Sequence, residues 1–167
     1  GLALKNVTLT LKDDKGKTLF SEQGEMLFTH FGISGPLVLS ASAHMRDPEE
    51  MGYTAWIDLK PALDIQKLEA RLLRDFEENS NRNFQTILSG LLPKLMIPVM
   101  EELAGIPGET KVHSIRKEQR RRLVNCLKSF EISINRLRPV EEAIVTAGGI
   151  KVSEVNPKTM ESKIVKG

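Results

Sequence analysis

The chain has 167 residues, 40% hydrophobic and 28% charged, enough for one ordinary domain or two small subdomains and too well balanced for disorder. A formal net charge of +2 does not by itself argue for a nucleic-acid or membrane partner. No apolar run approaches the roughly 20 residues that a membrane helix requires, and Cys126 stands alone, which excludes an intrachain disulfide and points to a reducing, cytoplasmic setting.

In chain order, Leu4, Val7, Leu9 and Leu11 recur largely at every second place between Leu2 and Lys12, the period of a half-buried strand. Asp13-Asp14-Lys15-Gly16 is a turn, and Lys17 to Thr29 returns as one or two strands of a hairpin. The run Gly24 to Ser40 is the stretch around which the rest of the chain is organised. Its strand-like part ends at Thr29-His30-Phe31, a tight turn follows over Gly32-Ile33-Ser34-Gly35, and Pro36 opens a short helix to His44, with Ser34 or Gly35 as N-cap. Free N–H groups at such a turn suit an anion or a developing negative charge. Tyr53 to Leu59 alternates as a strand and Lys60-Pro61 ends it.

The pattern then turns helical. Ile65, Leu68, Leu72, Leu73 and Phe76 predict an amphipathic helix over 63–79 with Asp64 as N-cap. Shorter helices are predicted over 84–92 and 93–104, the latter with a kink or restart at Pro98 and closure at Gly105, and a fourth over 114–130. Strands are predicted over 130–136, 142–147, 151–153 and 163–165, with a turn at Asn156-Pro157-Lys158. Strands, then helices, then strands predict an α+β fold: a β part from 1–60 and 129–167 and a helical part from 61–128.

Chemistry-bearing residues are few. His30, His44 and His113 show no metal-ligand spacing with Cys126, so no metal site is expected. His30 stands out because it sits at the strand–turn junction beside the glycines, and an imidazole there suits proton transfer. Cys126 reads as a small buried hydrophobe. The chain carries neither a P-loop nor a G-x-G-x-x-G fingerprint, so it has no means of its own to hold a nucleotide cofactor. Arg116, Lys117, Arg120, Arg121 and Arg122 crowd one segment, and Leu103 to Thr110 is similar to the loop of a helix-hairpin-helix. That suggests a nucleic-acid-binding module through the basic helix 114–129 and the Gly105–Gly108 loop. Against it, Pro107 lacks an N–H and Glu109 adds negative charge there, so a solvated or domain-facing basic face is preferred.

Three blocks, Gly24 to Pro36, Ala143 to Ile150 and Asn156 to Lys163, resemble in order the signature blocks of the BaiN/YhiN-like NAD(P)/FAD-dependent oxidoreductases of bacteria, also known as aminoacetone-oxidase-like flavoproteins. In that family a Rossmann-like FAD domain is interrupted by an insert: an antiparallel β-barrel of translation-factor and reductase type with a small all-α subdomain. The resemblance implies that this chain is that insert with its return toward the FAD domain, a segment of a longer protein. It implies a cap over the reactive face of FAD, with FAD bound mainly by residues outside this chain, NAD(P)H as reductant and a small organic molecule as substrate. Its partner is then the FAD-binding domain of the same polypeptide; neither a membrane nor nucleic acid is expected, and the isolated segment would be inert. His30 is the catalytic candidate; Thr29, Phe31, Gly32, Ser34, Gly35, Thr146, Gly148 and Gly149 are expected to face substrate or flavin. The alternatives are the nucleic-acid module and a non-catalytic interaction domain.

Overall fold

A computed structural model describes residues 1–46, 49–144 and 149–165. They form two compact units, Gly1–Arg136 and Leu137–Gly167.

The first unit is α+β. Strands β1 (Leu2–Asp13), β2 (Thr18–Thr29), β3 (Gly32–Ser34), β4 (Tyr53–Asp58) and β5 (Phe130–Ile134) form an antiparallel sheet in the order β3-β2-β1-β4-β5. Leu4, Val7, Leu9 and Leu11 are all buried, although the first two are an odd three positions apart. The pairing shifts register between Leu4 and Val7, and this bulge restores the inward phase that an unbroken pleat would lose. On β4, Tyr53, Ala55 and Ile57 point inward at the expected alternation. The sheet curls into a half-barrel. Phe28 on β2 and Phe130 on β5 are separated by two strands in the sheet order, yet their rings meet edge to face with centroids 6.2 Å apart.

Helix α1 (Pro36–Ser42) lies against β2 through Leu37 and Ala41. Gly24 leaves the space that Leu37 fills, since a Cβ there would lie 3.2 Å from its Cδ2. The loop after α1 is anchored by Tyr53, whose hydroxyl donates to the carbonyl of Arg46 and accepts its N–H.

Between β4 and β5 run α2 (Ile65–Glu78), α3 (Phe84–Ser89), α4 (Ile97–Ala104) and α5 (Lys117–Lys128). Asp64 caps α2 by accepting the N–H of Lys67 at 2.8 Å, as its sequence position predicts. Leu68, Leu72 and Phe76 face the core one turn apart, while Ile65 remains 54% exposed. Pro98 causes a restart: residues 94–96 form a single 3-10 turn and α4 begins at Ile97, placing the proline in the first turn, where its missing N–H costs nothing. Gly105 ends α4 in the left-handed conformation, φ 66°, and Ile106 N–H closes on Glu101 O. The segments 80–85 and 108–113 run side by side, joined by backbone bonds from Phe84 to Thr110, Gln85 to Gly108 and Val112 to Arg82.

Several sequence expectations need correction. Gly32–Ser34 is a strand paired with Leu27–Thr29 and not a free loop, because the chain reverses two residues earlier. The helix expected over 114–130 starts only at Lys117; Val112–Ser114 form a separate 3-10 turn. The expected helix 84–92 stops at Ser89. In the second unit Val152–Glu154 is a 3-10 turn, and Lys163–Val165 pairs with no strand among the described residues. Of the strand expected over 142–147, Glu142 lies in a 3-10 turn and residues 145–147 lie outside the described residues.

The second unit is held by polar contacts. Arg138 grips Glu142 with Nη2–Oε1 at 2.6 Å and Nε–Oε2 at 2.9 Å. The expected turn at Asn156 forms: its carboxamide oxygen accepts Lys158 N–H, and Val155 bridges to Ser162. Among its apolar side chains Val140, Ile150 and Val152 are 74–86% exposed.

Candidate functional site

The hairpin between β2 and β3 gathers most of the sequence-predicted site residues. Its loop is only His30-Phe31, and Thr29 braces it from inside. The Thr29 hydroxyl donates to Gly32 O at 3.1 Å and accepts the N–H of Phe31 at 3.4 Å. His30 and Phe31 are both exposed, and their rings stand nearly perpendicular, 79°, with centroids 4.9 Å apart. The tip therefore carries an imidazole able to give or take a proton and a flat apolar ring.

Ser34 and Gly35 lie at the other end of β3. Gly35 is buried, with φ 95°, and a Cβ there would meet Met26 Cα at 3.1 Å and Leu27 N at 3.2 Å. Only glycine permits both the conformation and the close approach to β2. Helix α1 has seven residues with proline in its first turn, so packing alone accounts for the glycine–proline pair. Gly149 belongs to the second unit and has φ 133°; Thr146 and Gly148 lie outside the described residues.

A second concentration of chemistry lies on α5. Leu123, Val124 and Leu127 face the core, and Arg120 is half-buried. Arg116, Lys117, Arg121 and Arg122 are exposed, and among the described residues none of the four makes an ion pair. Arg122 reaches the loop after α4: a Cβ on Gly105 would lie 3.0 Å from its Nη1. Gln119 Nε2 contacts Gly105 O at 3.5 Å. The loop itself is closed from beneath. A Cβ on Gly108 would collide with the carboxylate of Glu101, which therefore fills the space behind that glycine.

Two features had no signal in the sequence. Arg71, Asp75, Asn79, Arg82 and Thr86 line a groove of about 200 Å³ between α2 and α3. Lys60 and Cys126 are shifted by burial: the Lys60 ammonium is pushed down, first by desolvation and then by Arg71. The Cys126 thiol is pushed up by desolvation, with Arg122 and its own backbone pulling partly back. A thiol held protonated is a poor nucleophile, in keeping with its reading as a packing residue.

Among the described residues no group of three or more His, Cys, Asp or Glu side chains could hold a metal ion, and no helix is long and apolar enough to cross a membrane. The groove is smaller than the roughly 300–1,000 Å³ of ligand pockets, and no glycine-rich strand–helix turn opens beside it. This groove does not fit FAD.

Comparison with known proteins matches residues 1–145 to the family described as "HI0933-like protein barrel and H2TH domain". The chain is 32% identical over 152 residues to the ribosomal RNA dihydrouridine synthase of Haemophilus influenzae, covering 91% of this chain and 35% of that protein. It is 29% identical over 150 residues to the ribosomal RNA dihydrouridine synthase of Escherichia coli, covering 90% and 35%. It is 27% identical over 155 residues to the 3-dehydro-bile acid delta(4,6)-reductase of Clostridium scindens, covering 90% and 37%. The chain thus spans about a third of the length of the curated relatives it matches.

Proposed function

This chain belongs to the HI0933-like barrel and H2TH family, and on that premise we propose that it is the substrate-side domain of an oxidoreductase that saturates a carbon–carbon double bond conjugated with a carbonyl. The observation that carries the reading is the chemistry shared by its relatives' names. Making dihydrouridine saturates a ring double bond conjugated with a uracil carbonyl, and a delta(4,6)-reductase of a 3-dehydro acid acts on double bonds conjugated with a ketone. In uracil the addition delivers a hydride to the β-carbon and a proton to the α-carbon; in a 4,6-dienone the hydride goes to the β- or δ-carbon and the proton to the neighbouring carbon nearer the carbonyl.

In this reading FAD is held mainly by residues outside the chain, NAD(P)H is the reductant, and the half-barrel covers the reactive face. His30 supplies the proton and Phe31 offers its face to a planar substrate. The short hairpin and its Thr29 brace support this, because a two-residue loop holds both rings in a narrow range of positions. Thr146, Gly148 and Gly149 are assigned to substrate or flavin by the same family resemblance. The exposed apolar side chains of the second unit support a further domain of the same polypeptide as their cover.

The test is made on the full-length protein, supplied with NADH or NADPH and either a uridine-containing RNA or a steroid enone, each of which loses its ultraviolet chromophore on saturation. NAD(P)H-dependent loss of one chromophore is expected, with no stoichiometric yellow complex when FAD is added to residues 1–167 alone. Tight FAD binding by the isolated chain, or saturation of neither substrate, would overturn the reading.

A further inference from the structure

We infer that the exposed edge of α5, built from Arg116, Lys117, Arg121 and Arg122, docks the phosphate backbone of a folded RNA. This deepens the proposed function by choosing the substrate class, and rests on it for the link to RNA chemistry.

Charge concentration is the first support. Residues 111–122 contain six lysines and arginines against one carboxylate, Glu118, a net of +5, so the rest of a chain of net +2 carries −3. The positive field is local. A surface of this kind attracts a polyanion, and much less a small neutral molecule such as an enone.

The second support is geometry. With Leu123, Val124 and Leu127 committed to the core, Lys117 and Arg121 are one turn apart on the flank of the helix, both exposed. Arg116 stands at the N-cap, its own N–H closed onto Gln119 Oε1 at 3.0 Å. Arg122 extends the row to Gly105. Four exposed cations thus cluster around the first half of the helix, from its N-cap at Arg116 to Arg122 beside the preceding loop, without a carboxylate partner among the described residues.

The third support is what is missing from the edge and what blocks its neighbour. No Phe, Tyr or Trp occurs between Phe84 and Phe130, so this segment offers no aromatic ring on which unpaired bases could stack. Backbone recognition remains. The Gly105–Gly108 loop is unsuited to hold a phosphate itself because the Glu101 carboxylate backs Gly108. The contact therefore moves from the loop to the arginine side chains, whose planar forks suit phosphate oxygens. That two relatives are named for action on ribosomal RNA agrees with this choice of polyanion.

The experiment titrates residues 1–167 against a short fluorescein-labelled RNA duplex by anisotropy over a salt series. Four phosphate contacts predict affinity falling about 100-fold between about 50 and 200 mM salt. Lys117→Ala/Arg121→Ala should reduce the log–log salt slope by about 2 and weaken binding about tenfold or more at low salt. Lys5→Ala/Lys15→Ala, which removes two exposed charges from β1 and its turn, should leave the slope unchanged; thermal melting checks that both variants are folded. Absent binding, salt-independent binding, or equal loss in both variants would remove the inference. Poly-L-glutamate bound as tightly as the duplex would reassign the edge to an acidic protein. A full-length protein that saturates the enone without affinity for RNA leaves the reductase reading standing and ends this one. RNA binding by a protein that saturates neither substrate does the reverse.

Discussion

The ammonium of Lys128, the last residue of α5, lies 2.6 Å from Asp58 Oδ2 at the end of β4 and also donates to the carbonyls of Lys60 and Leu63. With 14% and 22% of their side chains exposed, the pair is partly shielded from water. It fixes where the helical excursion leaves the sheet and where it returns, alongside the backbone bond from Leu59 N–H to Leu127 O. Lys128→Met keeps the stem but strands a carboxylate and two carbonyls. We expect a loss of about 2–3 kcal/mol, read as a lower midpoint in urea at unchanged slope. A loss within experimental error would show that water replaces the ammonium.

Gly35→Ala meets two penalties at once, a positive φ and backbone atoms of β2 within 3.2 Å. It should cost about 2–3 kcal/mol. Gly16→Ala, where φ is 78° and nothing lies within 4 Å, should cost about 1 kcal/mol, the conformational part alone. Urea curves of the two variants measure the difference, and equal costs would mean that β2 yields to the added methyl.

His30→Gln removes an exposed ring and should change stability by no more than about 0.5 kcal/mol. In the full-length protein, loss of a proton donor should lower turnover about 100-fold or more. A fall of less than about tenfold would return His30 to a turn role.

Cys126 offers a pH test independent of catalysis. Burial raises the thiol, so iodoacetamide should modify it more slowly than free cysteine near neutral pH, and the rate should keep rising above the pH at which free cysteine levels off. Arg122 favours the thiolate, so Arg122→Gln should move the profile further up. For Lys60 the sign is opposite. Its folded-state value is lowered, so the unfolded chain holds more protons between the folded and the ordinary lysine values, and stability rises with pH across that window. Lys60→Met should be more stable than the parent at neutral pH and lose that advantage as pH climbs through the window.

How much of the fold and site was legible in the sequence depended on whether a residue's neighbours in space were also its neighbours in the chain. The alternation in β4 and the four-residue spacing of Leu68, Leu72 and Phe76 are local, and both elements form where they were expected. The N-cap at Asp64, the restart at Pro98 and the closure at Gly105 are local too. The strand Gly32–Ser34 was hidden because three residues are too few to display a period. Ile115 fits the stripe of α5, but the bond from Val112 to Arg82 holds the preceding turn apart from it. The apolar runs after Leu137 looked like strands, yet a strand needs a partner, and among the described residues only Val155 and Ser162 bridge. At the candidate site, His30 and the cations of α5 were visible as residue types. The brace at Thr29, the placement of Glu101 behind Gly108 and the link between Lys128 and Asp58 were not, because each depends on the folded chain.

The neighbouring strands β4 and β5 are separated in the chain by residues 59–129, helices α2 to α5 among them. Joining ends so far apart carries a closure entropy that no single β-ladder offsets early. The helices must shorten that distance first, so β5 docks late and β4 waits as an unpaired border with Trp56 and Ile57 on it. During synthesis the same order holds, since Phe130 emerges only after the helices. That interval is when a chaperone, or another copy of the chain, would find an open sheet edge to bind.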